Sequence, residues 1–251
     1  VNQTIAVNGS CQTTLLDYTG MAVSSDNCDA NPVVTQLPIV GTILNNDTTV
    51  WLYSTDVAGN VDSCSFLITL ADSTAPAITC PVNQTLAVNV NCQAVLVDYT
   101  LTAVTADNCD ANPVVTQLPI AGTMLNNDTT VWLFSVDISG NVDSCSFLVT
   151  LADTLAPTIA CPANQTLTVN LSCQTTLLDY TGMVVSSDNC DANPIVTQFP
   201  ASGLILNNDT TVWLYSTDVT GNVDSCSILI TLLDTIAPSI YCPINQTVSG
   251  N

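Results

Sequence analysis

The sequence predicts an all-β protein built from tandem repeats, and two observations lead to that prediction. The first is a strict period of 81 residues, without insertions, in which every cysteine recurs. The second is an alternation of short β-branched or aromatic runs with turn-forming residues, while no apolar period of 3.6 residues extends over three helical turns. The recurring cysteines are Cys11, Cys92 and Cys173; Cys28, Cys109 and Cys190; Cys64, Cys145 and Cys226; and Cys80, Cys161 and Cys242.

The repeats are delimited by a junction, DSTAPAITCPVNQT at Asp72–Thr85, which returns at Asp153–Thr166 and at Asp234–Thr247. We therefore divide the chain into repeat 1 (1–72, its junction missing), repeat 2 (73–153), repeat 3 (154–234) and the start of a fourth repeat (235–251). Residues 244–251 align with residues 1–8. We expect from this that the chain is a window on a longer polymer, or one protomer of a continuous fibre.

Repeat 2 shows where the strands should lie. Between Pro76 and Pro81 the chain is extended and confined to an edge or a strand start, because proline lacks the N–H that a ladder needs. Thr129–Val136 is the strongest strand signal, and it should form a hairpin with Ser144–Leu151 around the DISGN turn. The other predicted strands are Gln84–Val88, Cys92–Asp98, Val114–Leu118 and, as a weaker signal, Ile120–Leu125.

About seven short strands, with turns every eight to twelve residues, favour a Greek-key β-sandwich of immunoglobulin or fibronectin type. Such units, each about 35–40 Å long, predict a linear rod of about 110 Å for three repeats. We expect Trp132, with Trp51 and Trp213, to lie on the face away from the core, in a structural role under a loop. The predicted core is Leu96, Val115, Val131, Leu133, Phe147 and Val149, with the equivalent residues in repeats 1 and 3.

These residues resemble the hyalin repeat, or HYR domain. The matching positions in this chain are Ala75–Asn83, Cys92, Asp107–Cys109, Thr129–Val131, Asp137–Asn141 and Cys145–Phe147. Repeat 1 matches without its junction, and repeat 3 has Ile228 in place of the phenylalanine. The resemblance implies extracellular, often tandem, immunoglobulin-like modules associated with adhesion and extracellular matrices. The chain departs from the family in having no cationic side chain.

The composition narrows the possible partners and the compartment. All 21 charged side chains are aspartate, with no Lys, Arg or His, which makes nucleic acid or an anionic membrane a poor partner. A unit of 81 residues buries only about two-thirds of its unfolded surface and needs additional stabilisation. Twelve cysteines without a Cys-x-x-Cys motif predict disulfides and an extracellular setting. No apolar run is long enough to span a bilayer.

The sandwich topology predicts one set of disulfides within repeats. The turn after the second strand and the turn before the last should lie at the same end of the unit. Each such bond closes a loop of 36 residues, which adds about 4 kcal/mol in the chain-entropy model. The predicted pairs are Cys28 with Cys64, Cys109 with Cys145, and Cys190 with Cys226.

The remaining cysteines allow a local pairing or a pairing between repeats. An extended segment from Cys80 to Cys92 spans well over about 20 Å, whereas bonded Cα atoms lie about 5.5 Å apart. We therefore favour pairs that join successive repeats, although a bent first strand would allow the local bond. The favoured pairs are Cys11 with Cys80, Cys92 with Cys161, and Cys173 with Cys242.

Asparagine sequons predict covalent glycans. Two sequons recur in phase, the Asn-Gln-Thr after each junction and the Asn-Asp-Thr before the strongest strand. A sugar coat would keep a cation-free fibre dispersed. The predicted sites are Asn2, Asn8, Asn46, Asn83, Asn127, Asn164, Asn170, Asn208 and Asn245.

Aspartates in the turn clusters should gather at one end of each repeat, near the preceding junction. Their hard oxygen ligands suit Ca²⁺. Aspartate and asparagine also cap turns without any metal, and that interpretation stays the stronger one. The candidate ligands are Asp26, Asp29, Asp56, Asp62, Asp107, Asp110, Asp137, Asp143, Asp188, Asp191, Asp218 and Asp224. No cofactor is required, and we predict no catalytic residue, because acid–base chemistry would fall to aspartates that recur at structural turns.

Two functions follow as hypotheses. The first is a structural segment of an extracellular, disulfide-stapled, glycosylated fibre whose partners are further copies of the same repeat. The second is a calcium-dependent cell-surface adhesin or ligand-recognition module. The near-identity of the repeats favours the first. Repeats could continue along one polypeptide, or residues 244–251 could lend a strand to a neighbour's first unit.

Overall fold

The computed structural model describes residues 1–245, 247 and 248, and it confirms the all-β class. Three short 310 turns, at Thr19–Met21, Thr100–Thr102 and Thr181–Met183, interrupt the strands. Repeat 1 contains β1 (Gln3–Ala6), β2 (Thr13–Thr14), β3 (Val33–Leu37), β4 (Ile43–Leu44), β5 (Thr48–Thr55) and β6 (Val61–Ala71). Repeat 2 contains β7 (Ala77–Thr79), β8 (Gln84–Ala87), β9 (Ala94–Val95), β10 (Val104–Ala106), β11 (Val114–Leu118), β12 (Met124–Leu125), β13 (Thr129–Val136) and β14 (Val142–Ala152). Repeat 3 contains β15 (Thr158–Ala160), β16 (Gln165–Thr168), β17 (Thr175–Thr176), β18 (Val185–Ser187), β19 (Ile195–Phe199), β20 (Ile205–Leu206), β21 (Thr210–Thr217) and β22 (Val223–Leu233).

Each repeat is organised around one four-stranded sheet, in the orders β1-β6-β5-β3, β11-β13-β14-β8 and β16-β22-β21-β19. The two longest strands form the predicted antiparallel hairpin, with Val136 opposite Val142 where the DISGN turn closes it. In repeats 1 and 3, the strands β1 and β16 run parallel to the last strand of the repeat, with Gln3 opposite Ile68 and Gln165 opposite Ile230. The β-branched and aromatic residues of these strands fit the half-buried pleated surface that such a sheet presents.

Smaller two-stranded sheets complete the repeats. One small sheet recurs in all three repeats and pairs β2 with β4, β9 with β12 and β17 with β20. A second small sheet recurs in repeats 2 and 3 and pairs β7 with β10 and β15 with β18. The strands β10 and β18 were not predicted, because a three-residue run after a 310 turn carries too little pattern. The chain folds into two compact units: unit 1 is Val1–Thr85 with Val95–Thr150, and unit 2 is Leu86–Ala94 with the chain from Leu151 onward.

The core lies where the inward residues of the long hairpin meet the smaller strands. Five of the six predicted core residues of repeat 2 are buried, and Val115 is half-buried because β11 is an edge strand. Tyr99 packs edge-on against Phe147 at 5.0 Å between ring centroids. Full burial of a side chain such as Leu133 contributes about 1.5–3 kcal/mol.

The tryptophans lie on the predicted outer face, but the predicted loop cover was wrong. Trp51, Trp132 and Trp213 are 42, 43 and 44% exposed. Trp132 instead stacks on Phe134, two residues along the same strand, with ring centroids 6.5 Å apart. A strand neighbour on the same face therefore supports the rings of Trp51 and Trp132.

Candidate functional sites at the repeat junctions

The structure pairs the cysteines differently from the sequence prediction. Cys11 bonds to Cys109 and Cys80 to Cys145, with Cα atoms 4.9 and 5.7 Å apart. The same two bonds recur as Cys92–Cys190 and Cys161–Cys226, at 5.0 and 5.8 Å. We call the first pair joint 1, which lies in unit 1, and the second pair joint 2, which lies in unit 2. The remaining four cysteines, Cys28, Cys64, Cys173 and Cys242, are exposed free thiols.

All six predicted pairs were therefore wrong. The prediction that one kind of bond lies within a repeat and another joins successive repeats was correct. The turn that carries Cys109 faces the preceding repeat and not the hairpin, so its partner is Cys11. Cys145 lies within β14, beside the end of β7, so it bonds Cys80 and fastens the first strand of the repeat to the last. The incorrect pairs are Cys28–Cys64, Cys109–Cys145, Cys190–Cys226, Cys11–Cys80, Cys92–Cys161 and Cys173–Cys242. The local alternative, Cys80–Cys92, does not form either.

Both cysteines of the bond between repeats lie in turns that local hydrogen bonds hold in place. On one side, the Asn8 N–H donates to the Gln12 carbonyl at 2.7 Å and the Cys11 N–H to the Asn8 carbonyl at 3.0 Å. Cys11 has φ 56°, in the left-handed region that side chains rarely adopt. On the other side, one carboxylate oxygen of Asp107 accepts the N–H of Cys109 at 2.8 Å. The turns thus present the two sulfurs to each other.

An amide side chain links the two repeats beside this disulfide. Asn108 Nδ2 donates to the Asn8 carbonyl and to the Asp72 carboxylate, both at 3.3 Å. Asn141 Nδ2 donates to the Asp72 carbonyl at 3.3 Å. Joint 2 repeats these contacts with Asn189, Asn89, Asp153 and Asn222. Asp72 and Asp153, which open the first two junctions, are therefore contact points for the next repeat.

Each joint also gathers three carboxylates. In unit 1 these belong to Asp72, Asp107 and Asp137, with one oxygen from each lying within 4.8 Å of the others. Asp72 Oδ2, Asp107 Oδ1 and Asn108 Oδ1 are buried without a hydrogen-bond partner. An unpartnered buried oxygen is costly, and adjacent carboxylates repel one another. A hard divalent cation that takes oxygen ligands, such as Ca²⁺, would give the buried oxygens a partner and would offset the repulsion between the carboxylates.

Unit 2 contains the same arrangement in Asp153, Asp188 and Asp218. Asp153 Oδ2 and Asp188 Oδ1 are again buried and unpartnered. The two clusters therefore leave equivalent oxygens buried without a partner.

The third carboxylate of each cluster is held in its ionised form. Burial alone would raise the pKa of Asp137, but hydrogen bonds from the side chain and backbone of Asn141, and from two further backbone N–H groups, lower it on balance. Asn141 donates its N–H to Oδ1 at 2.8 Å and its Nδ2 to Oδ2 at 2.7 Å. Burial would likewise raise the pKa of Asp218, but hydrogen bonds, chiefly from Asn222, lower it on balance. A negative charge thus persists at the site.

The clusters contain only part of the predicted metal set. The first cluster contains the predicted Asp107 and Asp137, and the second contains the predicted Asp188 and Asp218. The prediction missed Asp72 and Asp153, even though each opens a junction. Asp110 instead caps a turn, accepting the N–H groups of Asn112 and Ile138 at 2.9 and 3.0 Å. The predicted residues that lie outside both clusters are Asp26, Asp29, Asp56, Asp62, Asp110, Asp143, Asp191 and Asp224. Ca²⁺ binding itself stays a prediction.

The nine predicted glycan acceptors are all exposed. In Asn2, Asn83 and Asn164 the Oδ1 atom accepts the N–H of a leucine on the last strand, at 2.9–3.1 Å. This orients the side chain while Nδ2, the atom that would carry a glycan, is not used in that bond. Glycosylation also stays a prediction.

Comparison with known proteins gives a family and several more distant similarities. The model of the HYR domain matches residues 71–151 and 152–232. Hyalin from Strongylocentrotus purpuratus is 26% identical over 212 residues, which cover 80% of this chain and 18% of hyalin. The chain therefore spans less than a fifth of the length of that relative.

Solved structures of tandem extracellular domains are also similar. The protocadherin gammaB7 EC3-6 cis-dimer structure has a TM-score of 0.41 and 12% identity, covering 92% of this chain and 71% of that one. Immunoglobulin domains 1–4 of Sidekick-1 have a TM-score of 0.39 and 8% identity, covering 92% and 73%. Among the residues that the structure describes, no helix has the length and apolar character to cross a membrane.

Proposed function

This chain belongs to the HYR domain family, and on that premise we propose that it is a structural segment of an extracellular fibre. Its family and its similarity to hyalin identify it as extracellular. The observation that carries the fibre proposal is the repetition of one joint. Cys11–Cys109 with Cys80–Cys145 recurs as Cys92–Cys190 with Cys161–Cys226. A site for one specific ligand would not need to be rebuilt identically at every junction.

The joint is suited to carrying tension along the chain. One disulfide ties each repeat to its predecessor, and the other ties the first strand of a repeat to its last. A force applied through the junction therefore reaches the long hairpin through covalent bonds. Closure of the 65- and 98-residue loops adds about 4–5 kcal/mol per bond in the chain-entropy model.

Glycans at the exposed sequons complete this proposal. Without a cationic side chain, the chain has no internal means of neutralising a net charge of −21. A hydrated glycan coat would keep neighbouring fibres apart at moderate ionic strength, where charge repulsion is screened beyond about 10 Å. We assign the chain no catalytic role.

Imaging the native material by electron cryomicroscopy tests the fibre. We expect an unbroken filament with an axial repeat of one module, about 35–40 Å, and density extending from Asn83 and its equivalents. Discrete short particles would contradict the fibre. A filament with bare asparagines would contradict only the glycan coat.

A calcium-dependent adhesive function is the second candidate, and the acidic clusters favour it. Asp72, Asp107 and Asp137 place three carboxylates in one site, with buried oxygens that lack partners. A cation bound to the folded state alone would raise stability by RT ln(1 + [L]/Kd). It would also stiffen the contact between successive repeats.

Thermal unfolding with 2 mM Ca²⁺ or with EGTA measures this directly. We expect Ca²⁺ to raise Tm in the wild type and to have no effect in Asp72→Asn/Asp107→Asn/Asp153→Asn/Asp188→Asn, which disables both clusters. Asp143→Asn is the matched control, because this exposed carboxylate lies outside the clusters. Equal Tm values with Ca²⁺ and EGTA in the wild type would contradict the metal site. Adhesion itself is measured by the aggregation of beads coated with this protein. Aggregation that does not depend on Ca²⁺ would contradict the calcium-dependent adhesive function.

A further inference from the structure

The outer face of each four-stranded sheet carries an exposed apolar patch. In repeat 2, Leu118, Trp132 and Ser146 lie side by side on β11, β13 and β14. Leu118 is 57% exposed, Trp132 43% and Leu148 37%. We call Leu118, Trp132, Phe134 and Leu148 the outer patch of repeat 2. The row across the strands recurs as Leu37, Trp51 and Ser65 in repeat 1 and as Phe199, Trp213 and Ser227 in repeat 3.

No strand residue on this face is charged, although the chain has 21 aspartates. Each four-stranded sheet contains a single aspartate, which is Asp62, Asp143 or Asp224. Asp143 lies opposite Ser135, which is completely buried. Because side chains alternate along a strand, Asp143 lies on the core side of β14 and Trp132 on the opposite side of the sheet. A ligand of the outer face is therefore recognised without charge.

The centre of the outer patch is an aromatic pair. The ring planes of Trp132 and Phe134 differ by 22°, and Trp51 and Tyr53 form the same pair in repeat 1 at 21°. The face of an aromatic ring is negative. The C–H groups of a pyranose ring are weakly positive and pack on such faces, while the hydroxyl of Ser146 beside Trp132 can bind a sugar hydroxyl. This combination suits a neutral oligosaccharide.

A glycan acceptor lies at the margin of the outer patch. Asn83 Oδ1 accepts the N–H of Leu148 at 3.0 Å, and Asn164 Oδ1 accepts the N–H of Leu229 at 2.9 Å. Asn83 is exposed and begins the sequon that ends at Thr85. Since the hydrogen bond uses Oδ1, it can persist when Nδ2 carries a glycan. The acceptor is thus fixed to the same strand that contributes Leu148 to the patch.

The distance from Asn83 to the aromatic pair is short. Leu148 lies opposite Thr130, which is two residues along β13 from Trp132. With strands about 4.8 Å apart and a rise of about 3.4 Å per residue, the Cα atoms of Asn83 and Trp132 are about 12 Å apart. A short oligosaccharide attached to Asn83 spans this distance across Leu148.

We propose that the outer patch binds the N-linked glycan of Asn83, with neutral sugar rings packed on Trp132 and Phe134. Asn164 and Trp213 form the equivalent site in repeat 3. This inference rests on the glycan coat of the proposed fibre and assigns it a binding site on the protein. The bound glycan covers the apolar surface that the sheet leaves exposed.

Attachment of the glycan requires a glycosyl donor, which is an activated sugar pyrophosphate of the secretory machinery. A C–N bond forms between the first sugar and Nδ2 of Asn83. Nδ2 loses one proton, and the bond between the sugar and the pyrophosphate breaks.

A second copy of the chain fits the outer patch less well. A standard protein interface uses about 20–30 residues a side, many more than the patch contains. A glycan on Asn83 would also stand between two such faces. The lent strand that the sequence predicted would pair at a sheet edge and would not cover this face. Residue 246 and residues 249–251 of that predicted donor lie outside the described residues.

Acrylamide quenching of Trp132 measures whether the glycan covers the patch. The 251-residue chain is secreted from an N-glycosylating eukaryotic cell line in a Trp51→Phe/Trp213→Phe background, in which Trp132 is the single tryptophan. Thr85→Ala removes the sequon but keeps Asn83 and its hydrogen bond to Leu148. We expect Thr85→Ala to raise the Stern–Volmer constant about twofold, because it uncovers the indole ring.

Asn127→Gln is the matched control. It removes a sequon of the same repeat from the turn before β13, and its Stern–Volmer constant should equal that of the background. Trimming with an endoglycosidase that leaves one sugar on each asparagine changes no residue and should act as Thr85→Ala does. Glycopeptide mapping verifies which asparagines carry glycans, and circular dichroism verifies the fold.

Four results would overturn the binding site, and they separate it from the fibre and its coat. Equal quenching with and without a verified glycan on Asn83 would leave the glycan coat standing, whereas a bare Asn83 in the native material would contradict the coat at this position as well. An equal rise in Asn127→Gln would remove the assignment to Asn83. Quenching that falls with protein concentration, with or without the glycan, would identify a second copy as the occupant. Discrete particles in the native material would contradict the fibre alone.

Discussion

Removal of the bond between Cys80 and Cys145 is the perturbation with the most clearly defined cost. Replacing both residues by serine frees a loop of 65 residues in the unfolded state. In the chain-entropy model the bond contributes about 4.3 kcal/mol, from about −14.5 cal/mol/K at 25 °C. We expect Cys80→Ser/Cys145→Ser to lower the free energy of unfolding of repeat 2 by about this amount.

Fluorescence isolates the repeat in question, because each repeat contains a single tryptophan. In a Trp51→Phe/Trp213→Phe background, Trp132 on β13 reports on repeat 2 alone. With a urea m-value of about 1–3 kcal/mol/M, the midpoint should fall by about 1.5–4 M. If the repeat is less stable than the bond is worth, the variant should be unfolded before urea is added.

The control is Cys28→Ser/Cys64→Ser, which removes two exposed thiols that form no bond within the chain. Its midpoint should equal that of the background. If the two double variants have the same midpoint, the assignment of Cys80 to Cys145 as a stabilising bond is refuted.

Three further predictions concern the core, a half-buried amide and acid stability. Leu133→Ala should lower the free energy of unfolding in urea by about 2–5 kcal/mol, because this side chain is completely buried. The control Leu101→Ala, at a side chain that is 96% exposed, should change it by no more than about 0.5 kcal/mol. Equal losses in the two variants would contradict the core assignment. Gln117→Ala should cost about 1–3 kcal/mol in the same assay, since its Oε1 accepts the Tyr99 N–H at 2.7 Å, and an unchanged midpoint would show that water replaces this bond. Backbone and side-chain hydrogen bonds from the threonine two residues on lower the pKa of Asp98 from 3.8, so their stabilisation is present above the unfolded-state pKa and lost as pH falls through the folded-state pKa. Urea midpoints between pH 2 and 6 should therefore fall less on acidification in Asp98→Asn than in the wild type, and parallel curves would contradict this.

The sequence predicted those features that depend on local pattern. Period-2 alternation identified Thr129–Val136 and its hairpin partner, and it placed Leu133 and Val149 in the core. Val104–Ala106 was missed because three residues do not establish a period. It forms a strand only because Ala77–Thr79 lies beside it.

Disulfide partners could not be predicted, because a strict repeat leaves the pairing degenerate. Any assignment that joins two cysteine series at a constant spacing preserves the period, and only the docking of neighbouring repeats selects one. Asp72 was missed for a related reason. Its role is defined by Asp107 and Asp137, which approach it only after repeat 2 has packed against the junction.

Disulfide mapping of the native material after chymotryptic digestion tests the central claim most directly. The account predicts linked peptides for Cys11–Cys109 and Cys80–Cys145, and for their equivalents 81 residues further along the chain. Linked peptides for Cys28–Cys64 and Cys109–Cys145, or a majority of free thiols among the twelve cysteines, would contradict it.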